Sequence, residues 1–240
     1  MLSIRTAGLS DIGRIRRENE DRFLLDEKGL LFGVADGVGG LPGGAEAAQR
    51  AIDSFAQSMQ TLADGREPDL VAMVRQANEA VATLGQRISP SMGIGTTLTV
   101  GCIRGSRLLI AHVGDSRCYA GHVGEFVRIT EDHSVENEAR LRRARGEVVY
   151  YHESNRNALT RCIGQPSPLE VDLVSRTLGK GDRIIFCTDG VTRMIPDSEL
   201  GAMLMNSDSP QIAVEEIVRL AVRRGGPDNA TAVAIFVDSA

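Results

Sequence analysis

Four short apolar runs in this chain stop or start at an aspartate flanked by a small or turn-forming residue: Val34-Ala35-Asp36-Gly37, Val113-Gly114-Asp115-Ser116, Cys187-Thr188-Asp189-Gly190 and Gly226-Pro227-Asp228-Asn229. Runs this short, rich in β-branched and aliphatic residues and closed by Gly, Pro, Asp or Asn, read as buried strands bounded by turns. Three of the aspartates follow a strand and the fourth immediately precedes one, so a meander of neighbouring strands can bring all four together. Four unrelated turn aspartates would give the same pattern, because Asp and Gly dominate turns. A converged cluster has a sharper meaning. Carboxylates held close together raise one another's pKa and stay ionised only beside cations, and an oxygen-rich, imidazole-poor donor set selects Mg²⁺ or Mn²⁺ over zinc.

The first of these stretches is the densest. Leu30-Leu31-Phe32-Gly33-Val34-Ala35 leads to Asp36 and then to a loop with glycines at 37, 39, 40, 43 and 44. Lacking Cβ atoms, that loop can bring backbone close to whatever Asp36 holds, or take φ > 0 without strain. Upstream lie a strand at 3–9, a turn at 10–13, the charged run 14–21 and a strand at 22–25, joined to the Asp36 strand by the hairpin signal Asp26-Glu27-Lys28-Gly29. Downstream, apolar residues at helical spacing predict a helix over 45–63. After the break Asp64-Gly65-Arg66-Glu67-Pro68, Asp69 caps a second helix. Strands follow at 95–103, 107–113, 117–120 and 125–129, then at 169–176 and 183–188. Asp197 caps a helix to 205, Ser209-Pro210 opens another to about 224, and a last strand spans 230–237. Residues 131–161 are dense in charge, with an aromatic pair at Tyr150-Tyr151, and predict a short helix and an irregular surface loop of the kind that carries specificity.

Composition narrows the function classes. The 240 residues, 42% hydrophobic, suffice for a substantial core, and the net charge of -5 argues against a nucleic-acid binder working through a basic surface. No apolar run approaches the ~20 residues of a membrane helix, and the polar start lacks a signal-peptide core. These features indicate a cytoplasmic protein with no membrane partner. The four cysteines, Cys102, Cys118, Cys162 and Cys187, are far apart and read as buried free thiols. His112 reads as a hydrogen-bonded core residue, His133 as a cap or loop anchor, and His122 and His152 as exposed. Nothing repeats, and the last strand runs almost to Ala240, so the expectation is one domain over 1–240.

Two divalent ions bridged by one carboxylate would activate a shared water, which suits phosphoester hydrolysis. The phosphoryl oxygens then need a fixed cation, preferably a guanidinium that binds two of them. Arg16 is the candidate, although Arg14 and Arg17 beside it show that a solvated surface charge fits the same composition.

Taken in order, these residues resemble the metal-dependent serine/threonine protein phosphatases of the type 2C family. The resemblance rests on Gly13, Arg16, Asn19, Glu20 and Asp21; Ala35-Asp36-Gly37-Val38-Gly39-Gly40; Gly95-Thr96-Thr97; Val113-Gly114-Asp115-Ser116-Arg117; Thr130-Glu131-Asp132-His133-Ser134; Leu159-Thr160-Arg161; Thr188-Asp189-Gly190; and Gly226-Pro227-Asp228-Asn229. It implies an α+β fold, a four-layer α-β-β-α sandwich of two mainly antiparallel sheets flanked by helix pairs, with a flap over about 133–157. It further implies Mn²⁺ or Mg²⁺, two or three ions per chain, and hydrolysis of phosphoserine and phosphothreonine by a metal-bound hydroxide.

Position by position, the resemblance makes Asp36 the bridging ligand and gives one ion the Gly37 carbonyl, with Glu20 and Asp21 nearby through water. Asp189 and Asp228 bind the other ion. Asp115 with Asp189 matches a third site, and Arg16 matches the phosphate-binding arginine. The catalytic set is Arg16, Asp36 and Asp189. Expected partners are phosphorylated proteins and a cognate Ser/Thr kinase, with the chain itself a monomer. Val38 departs from the pattern, because many eukaryotic members have His there as a proposed general acid. Two other readings use the same residues: a non-catalytic phosphoprotein-binding module, and a phosphatase for small metabolites.

Overall fold

The strand that ends at Asp36, β3 (Leu31–Asp36), is buried on both faces up to Ala35, which requires a packed layer above it and another below. The computed structural model describes residues 2–63, 66–166 and 168–239, so Asp64 and Gly65 of the expected break lie outside the described residues. The remaining strands are β1 (Ser3–Asp11), β2 (Asp21–Asp26), β4 (Leu98–Arg104), β5 (Arg107–Val113), β6 (Arg117–His122), β7 (Glu125–Arg128), β8 (Asp172–Thr177), β9 (Arg183–Cys187) and β10 (Ala230–Ser239). They form two five-stranded sheets, ordered β1-β10-β9-β6-β7 and β2-β3-β4-β5-β8. Every pairing is antiparallel.

Phe32, Val34, Ile110, Phe186, Val233 and Ile235 fill the layer between the sheets. On the outer face of the second sheet lie α1 (Gly44–Gln60) and α2 (Leu70–Ile88), whose Ala51, Phe55, Val74 and Val81 pack on Leu98, Val100 and Val113. The first sheet is covered by α5 (Asp197–Asn206) and α6 (Pro210–Arg223), with Val214, Ile217 and Val218 against Ile185 and Ala232. The result is the four-layer α-β-β-α sandwich that the resemblance implies. Each fully buried aliphatic or Phe side chain stabilises it by about 1.5–3 kcal/mol. No helix among the described residues is long and apolar enough to cross a membrane.

Helix starts mostly follow local chemistry. The Asp69 carboxylate accepts from the Ala72 N–H at 3.0 Å, and Ser209 Oγ accepts from the Ile212 N–H at 3.2 Å with Pro210 in the first turn. Asp197 departs from expectation. Pro196 occupies the cap position of α5, and Asp197 Oδ1 instead accepts from the Tyr119 hydroxyl at 2.9 Å, because a buried phenol needs a partner. The charged excursion contains α3 (Val135–Ala144), capped by Ser134, and a 3₁₀ turn at Glu153–Asn155, and an isolated bridge between Ser134 and Leu159 closes its base. At Asp189 the chain turns straight from β9 into a four-residue helix, α4 (Asp189–Thr192), which strand periodicity alone does not foretell.

His112 is the core histidine expected: its ring nitrogens pair with Thr99 Oγ1 and the Glu131 carbonyl, each at 2.9 Å, and burial drives its pKa down to about 3. His133 is a buried anchor that reaches Asp172 at 3.1 Å. Cys102, Cys118 and Cys187 are buried free thiols, and Cys162 is partly buried.

Candidate active site

Asp36 is held through its main chain. Its N–H donates to Thr97 Oγ1 at 2.9 Å, and its carbonyl accepts from the Thr97 N–H and the Thr96 hydroxyl, both at 2.8 Å. With the backbone satisfied by its neighbours, the carboxylate is left at the strand end. Thr97 Oγ1 also meets Ser116 Oγ at 2.7 Å, which ties the Asp36 strand to the turn carrying Asp115. That turn is clasped from the other side by His133, whose N–H donates to the Gly114 carbonyl at 2.8 Å while its Nδ1 accepts from the Gly114 N–H at 3.1 Å.

Asp21 stands directly opposite Asp36 across β2 and β3. Its Oδ2 accepts from the hydroxyls of Thr188 and Thr231, at 2.8 and 2.7 Å, so one carboxylate oxygen joins the two sheets. Glu20 packs against the glycine loop. A Cβ on Gly37 would come within 2.9 Å of the Glu20 Cβ and 2.6 Å of the Gly44 carbonyl oxygen, so only glycine fits there. Gly39 leaves its open side to the Arg16 guanidinium, which a Cβ would meet at 2.8 Å.

Arg16 is carried by a loop that the far end of the chain holds in place. Asn229 donates through Nδ2 to the carbonyls of Ile12 and Glu18, at 2.8 and 3.0 Å, while its Oδ1 accepts from the Glu20 N–H at 2.8 Å. The Arg14 N–H donates to the Gly226 carbonyl at 2.8 Å. This bracket sets Arg16 Nη2 at 2.7 Å from Asp228 Oδ2.

Arg16, Asp36, Gly37, Asp115, Asp189 and Asp228 thereby line one cleft of about 390 Å³, with Val38, Cys162, Asn157, Ala158 and Leu159 on its walls. Glu20 and Asp21 are not among the residues that line it. Arg193, which the sequence reading passed over, also lines the cleft: it pairs with Asp189 and stands 3.9 Å from both Asp115 and Asp228. The one signal for it is its place four residues after Asp189, a helical pair only once α4 is known. Thr97 and Asn229 sit in motifs already noted, but uncharged turn residues announce no role until their partners are seen.

The electrostatics are those of crowded carboxylates. Burial first, then Asp21, Asp189, Asp115 and Asp228, pushes Asp36 well above the usual carboxylate range. Asp21 rises to about 7 through burial, against the two threonine hydrogen bonds. Asp115 also reaches about 7, through burial and Asp189, with Arg193 opposing. Asp189 rises through burial, again opposed by Arg193.

Among the described residues no three His, Cys, Asp or Glu side chains form a ready cation cage, and the arginines reach into the cluster instead. The donor chemistry nevertheless fits a hard divalent cation. Every candidate ligand is an oxygen, and Asp21 Oδ1 and Asp189 Oδ1 are buried without a hydrogen-bond donor, a costly state that a cation would relieve.

These shifts set the pH response of the metal-free protein. Asp21 and Asp115 titrate near 7 when folded and near 3.8 when unfolded, so the folded chain holds more protons between those values. Their contribution is complete at low pH and is lost as pH rises through 7. His112 works the other way, and because its unfolded midpoint is near 6.5 it offsets only a small part of the loss above that pH. Between pH 6.5 and 8.5 in chelator, the protein is expected to lose about 2 kcal/mol, or roughly 5 °C in Tm. Saturating Mn²⁺ removes the loss, since ligation needs the deprotonated oxygens. Thermal melts at both pH values check this, and a flat or rising profile in chelator contradicts it.

The chain is similar to known proteins along its length. The protein phosphatase 2C family model matches residues 10–230. A putative protein phosphatase 2C-type of Streptococcus pyogenes is 32% identical, covering 96% of both chains. The serine/threonine protein phosphatase PstP of Mycobacterium tuberculosis is 33% identical over 97% of this chain, which spans 45% of that longer protein. The crystal structure of the catalytic domain of PstP, in complex with two manganese ions, superposes with a TM-score of 0.84 at 31% identity and 99% coverage of both chains.

Proposed function

The chain belongs to the protein phosphatase 2C family, and from that premise we propose that it hydrolyses phosphoserine and phosphothreonine in proteins, consuming water and releasing inorganic phosphate and the free hydroxyl. The observation that carries this reading is the shared cleft: four carboxylates from distant segments, Asp36, Asp115, Asp189 and Asp228, line it together with two guanidiniums, Arg16 and Arg193. The family is metal-dependent. Mn²⁺ or Mg²⁺, two ions per chain, fits the oxygen donors, and PstP with two manganese ions supports that number.

One ion would be held by Asp36 and the Gly37 carbonyl, with Glu20 and Asp21 nearby, and the other by Asp36, Asp189 and Asp228. Asp115, which with Asp189 would complete a third site, is met by Arg193. When bound, the ions would supply an acidified water and positive charge for the phosphoryl oxygens.

The chain's own residues do the rest. Arg16 has one N–H on Asp228 and its Nη1 3.9 Å from Glu20, with further N–H groups that can bind two phosphoryl oxygens. Asp36 is held by main-chain hydrogen bonds, so its carboxylate costs no reorganisation when substrate arrives. Asn157, Ala158 and Leu159 bring the flap to the cleft, where the substrate's polypeptide would pass. Val38 offers no proton, its backbone N–H being taken by the Gly95 carbonyl at 2.9 Å, so the proton for the leaving serine or threonine oxygen comes from another group.

We read residues 1–240 as one catalytic domain acting as a monomer in the cytoplasm on proteins phosphorylated by a Ser/Thr kinase. Release of phosphate should depend on Mn²⁺ with p-nitrophenyl phosphate, and phosphopeptides should be turned over faster than sugar phosphates. No turnover with any divalent metal would replace this reading with a phosphoprotein-binding module. Faster turnover of sugar phosphates would replace it with a metabolite phosphatase.

A further inference from the structure

The Asp115 side of the cleft differs from the Arg16 side in what neutralises it. Among the described residues, the cation within 4 Å of Asp115 is Arg193, which pairs at the same time with Asp189 and stands 3.9 Å from Asp228. The neighbouring Arg117 does not share this work. Its guanidinium is committed to Asp132, at 2.7 and 2.9 Å, and to the Tyr119 hydroxyl at 3.1 Å.

Arg193 is exposed, but its backbone is fixed. It closes α4, with its N–H donating to the Asp189 carbonyl at 2.8 Å, so Asp189 and Arg193 share one helix face four residues apart. Val191 in the helix and Ile195 just after it are both fully buried. A second cleft of about 410 Å³ adjoins the first, and Asp115, Asp189 and Arg193 line both. The guanidinium therefore stands at the seam, paired with Asp189 and 3.9 Å from Asp115.

We propose that Arg193 is the resident cation of the Asp115–Asp189 pair, so that this chain binds divalent ions on the Asp36 and Asp228 side and excludes one from the Asp115 side. The inference rests on the metallophosphatase reading above. A guanidinium suits the task, because its planar fork can contact two carboxylates at once and its charge is permanent. A divalent ion entering between Asp115 and Asp189 would be repelled by that charge. Nothing is transferred or oxidised in this role; the side chain sets how many ions the site admits.

Mn²⁺ bound per chain, measured by equilibrium dialysis with atomic absorption, tests the proposal with a readout separate from turnover. The wild type is expected to saturate at two ions. Arg193→Asp, which adds a carboxylate where the guanidinium stood, is expected to saturate at three, and Arg193→Lys to stay at two because a cation remains. Arg193→Asn covers the case in which Asp at this position prevents folding: it too should gain an ion, bound more weakly. Circular dichroism melts establish that each variant is folded.

Three ions in the wild type, or two in both folded Asp and Asn variants, would overturn the proposal. The underlying reading fails differently, by a wild type that binds no Mn²⁺ or by an Asp36→Asn variant that binds as much as the wild type.

Discussion

Asp36→Asn protein is expected to fold, to lose at least ~10³-fold in kcat on p-nitrophenyl phosphate, and to melt at a higher temperature than wild type when metal-free. The two effects have one origin. Asp36 is buried and surrounded by Asp21, Asp189, Asp115 and Asp228, all of which oppose its charge. Without cations, that carboxylate is a burden on the fold at neutral pH. Asn keeps its shape and leaves the main-chain bonds to Thr96 and Thr97 intact, because those involve only the Asp36 N–H and carbonyl. What disappears is the anionic oxygen that would bridge two ions. A loss of ~10³-fold corresponds to about 4 kcal/mol of transition-state stabilisation, within what metal ions supply to phosphoryl transfer. The Mn²⁺-induced rise in Tm should vanish with it. Near-normal turnover, or an undiminished Mn²⁺ shift, would remove Asp36 from the centre.

Arg16→Ala is expected to lower kcat/KM by about 10²–10³-fold, the scale seen when one preorganised donor to a developing oxyanion is removed, and to weaken inhibition by inorganic phosphate. Arg16 is held for this purpose by features that Ala leaves in place, chiefly the Asn229 bracket on the Ile12 and Glu18 carbonyls. Loss of folding is therefore not expected to contribute much. Arg16→Lys should recover part of the phosphate affinity but little of kcat, because an ammonium supplies charge without a planar fork. A fall of less than tenfold in the Ala variant would mean that Arg16 serves only to neutralise Asp228.

The two residues were legible in the sequence to different degrees, for a physical reason. Asp36 follows an apolar run and opens a glycine loop, a local pattern that marks a strand end wherever it occurs. Arg16 shares a run with Arg14 and Arg17, and no local pattern separates the three. Its distinction is the 2.7 Å contact with Asp228, 212 residues away in the chain. Arg193 was missed because the turn that makes it a helical neighbour of Asp189 follows a strand without a break. Asp197 is not the cap of α5: Pro196 holds that position, and the Tyr119 hydroxyl, from β6, donates to the Asp197 carboxylate.

By itself the sequence determined the alternation of short strands and amphipathic helices, the aspartates at strand ends, the net negative charge, and, through its motifs in order, the family. These are properties of neighbours along the chain, where burial period and turn chemistry act within a few residues. Only the tertiary structure decided what neutralises the aspartates and how they are held. Asp21 joins the sheets through Thr188 and Thr231, and Thr97 ties Asp36 to the Asp115 turn through Ser116. Asn229 fastens the arginine loop, and Arg193 covers Asp115 and Asp189. Each of these is a side chain meeting another across a sheet, a turn or a loop, and such meetings depend on packing of the whole sandwich, which no local pattern encodes.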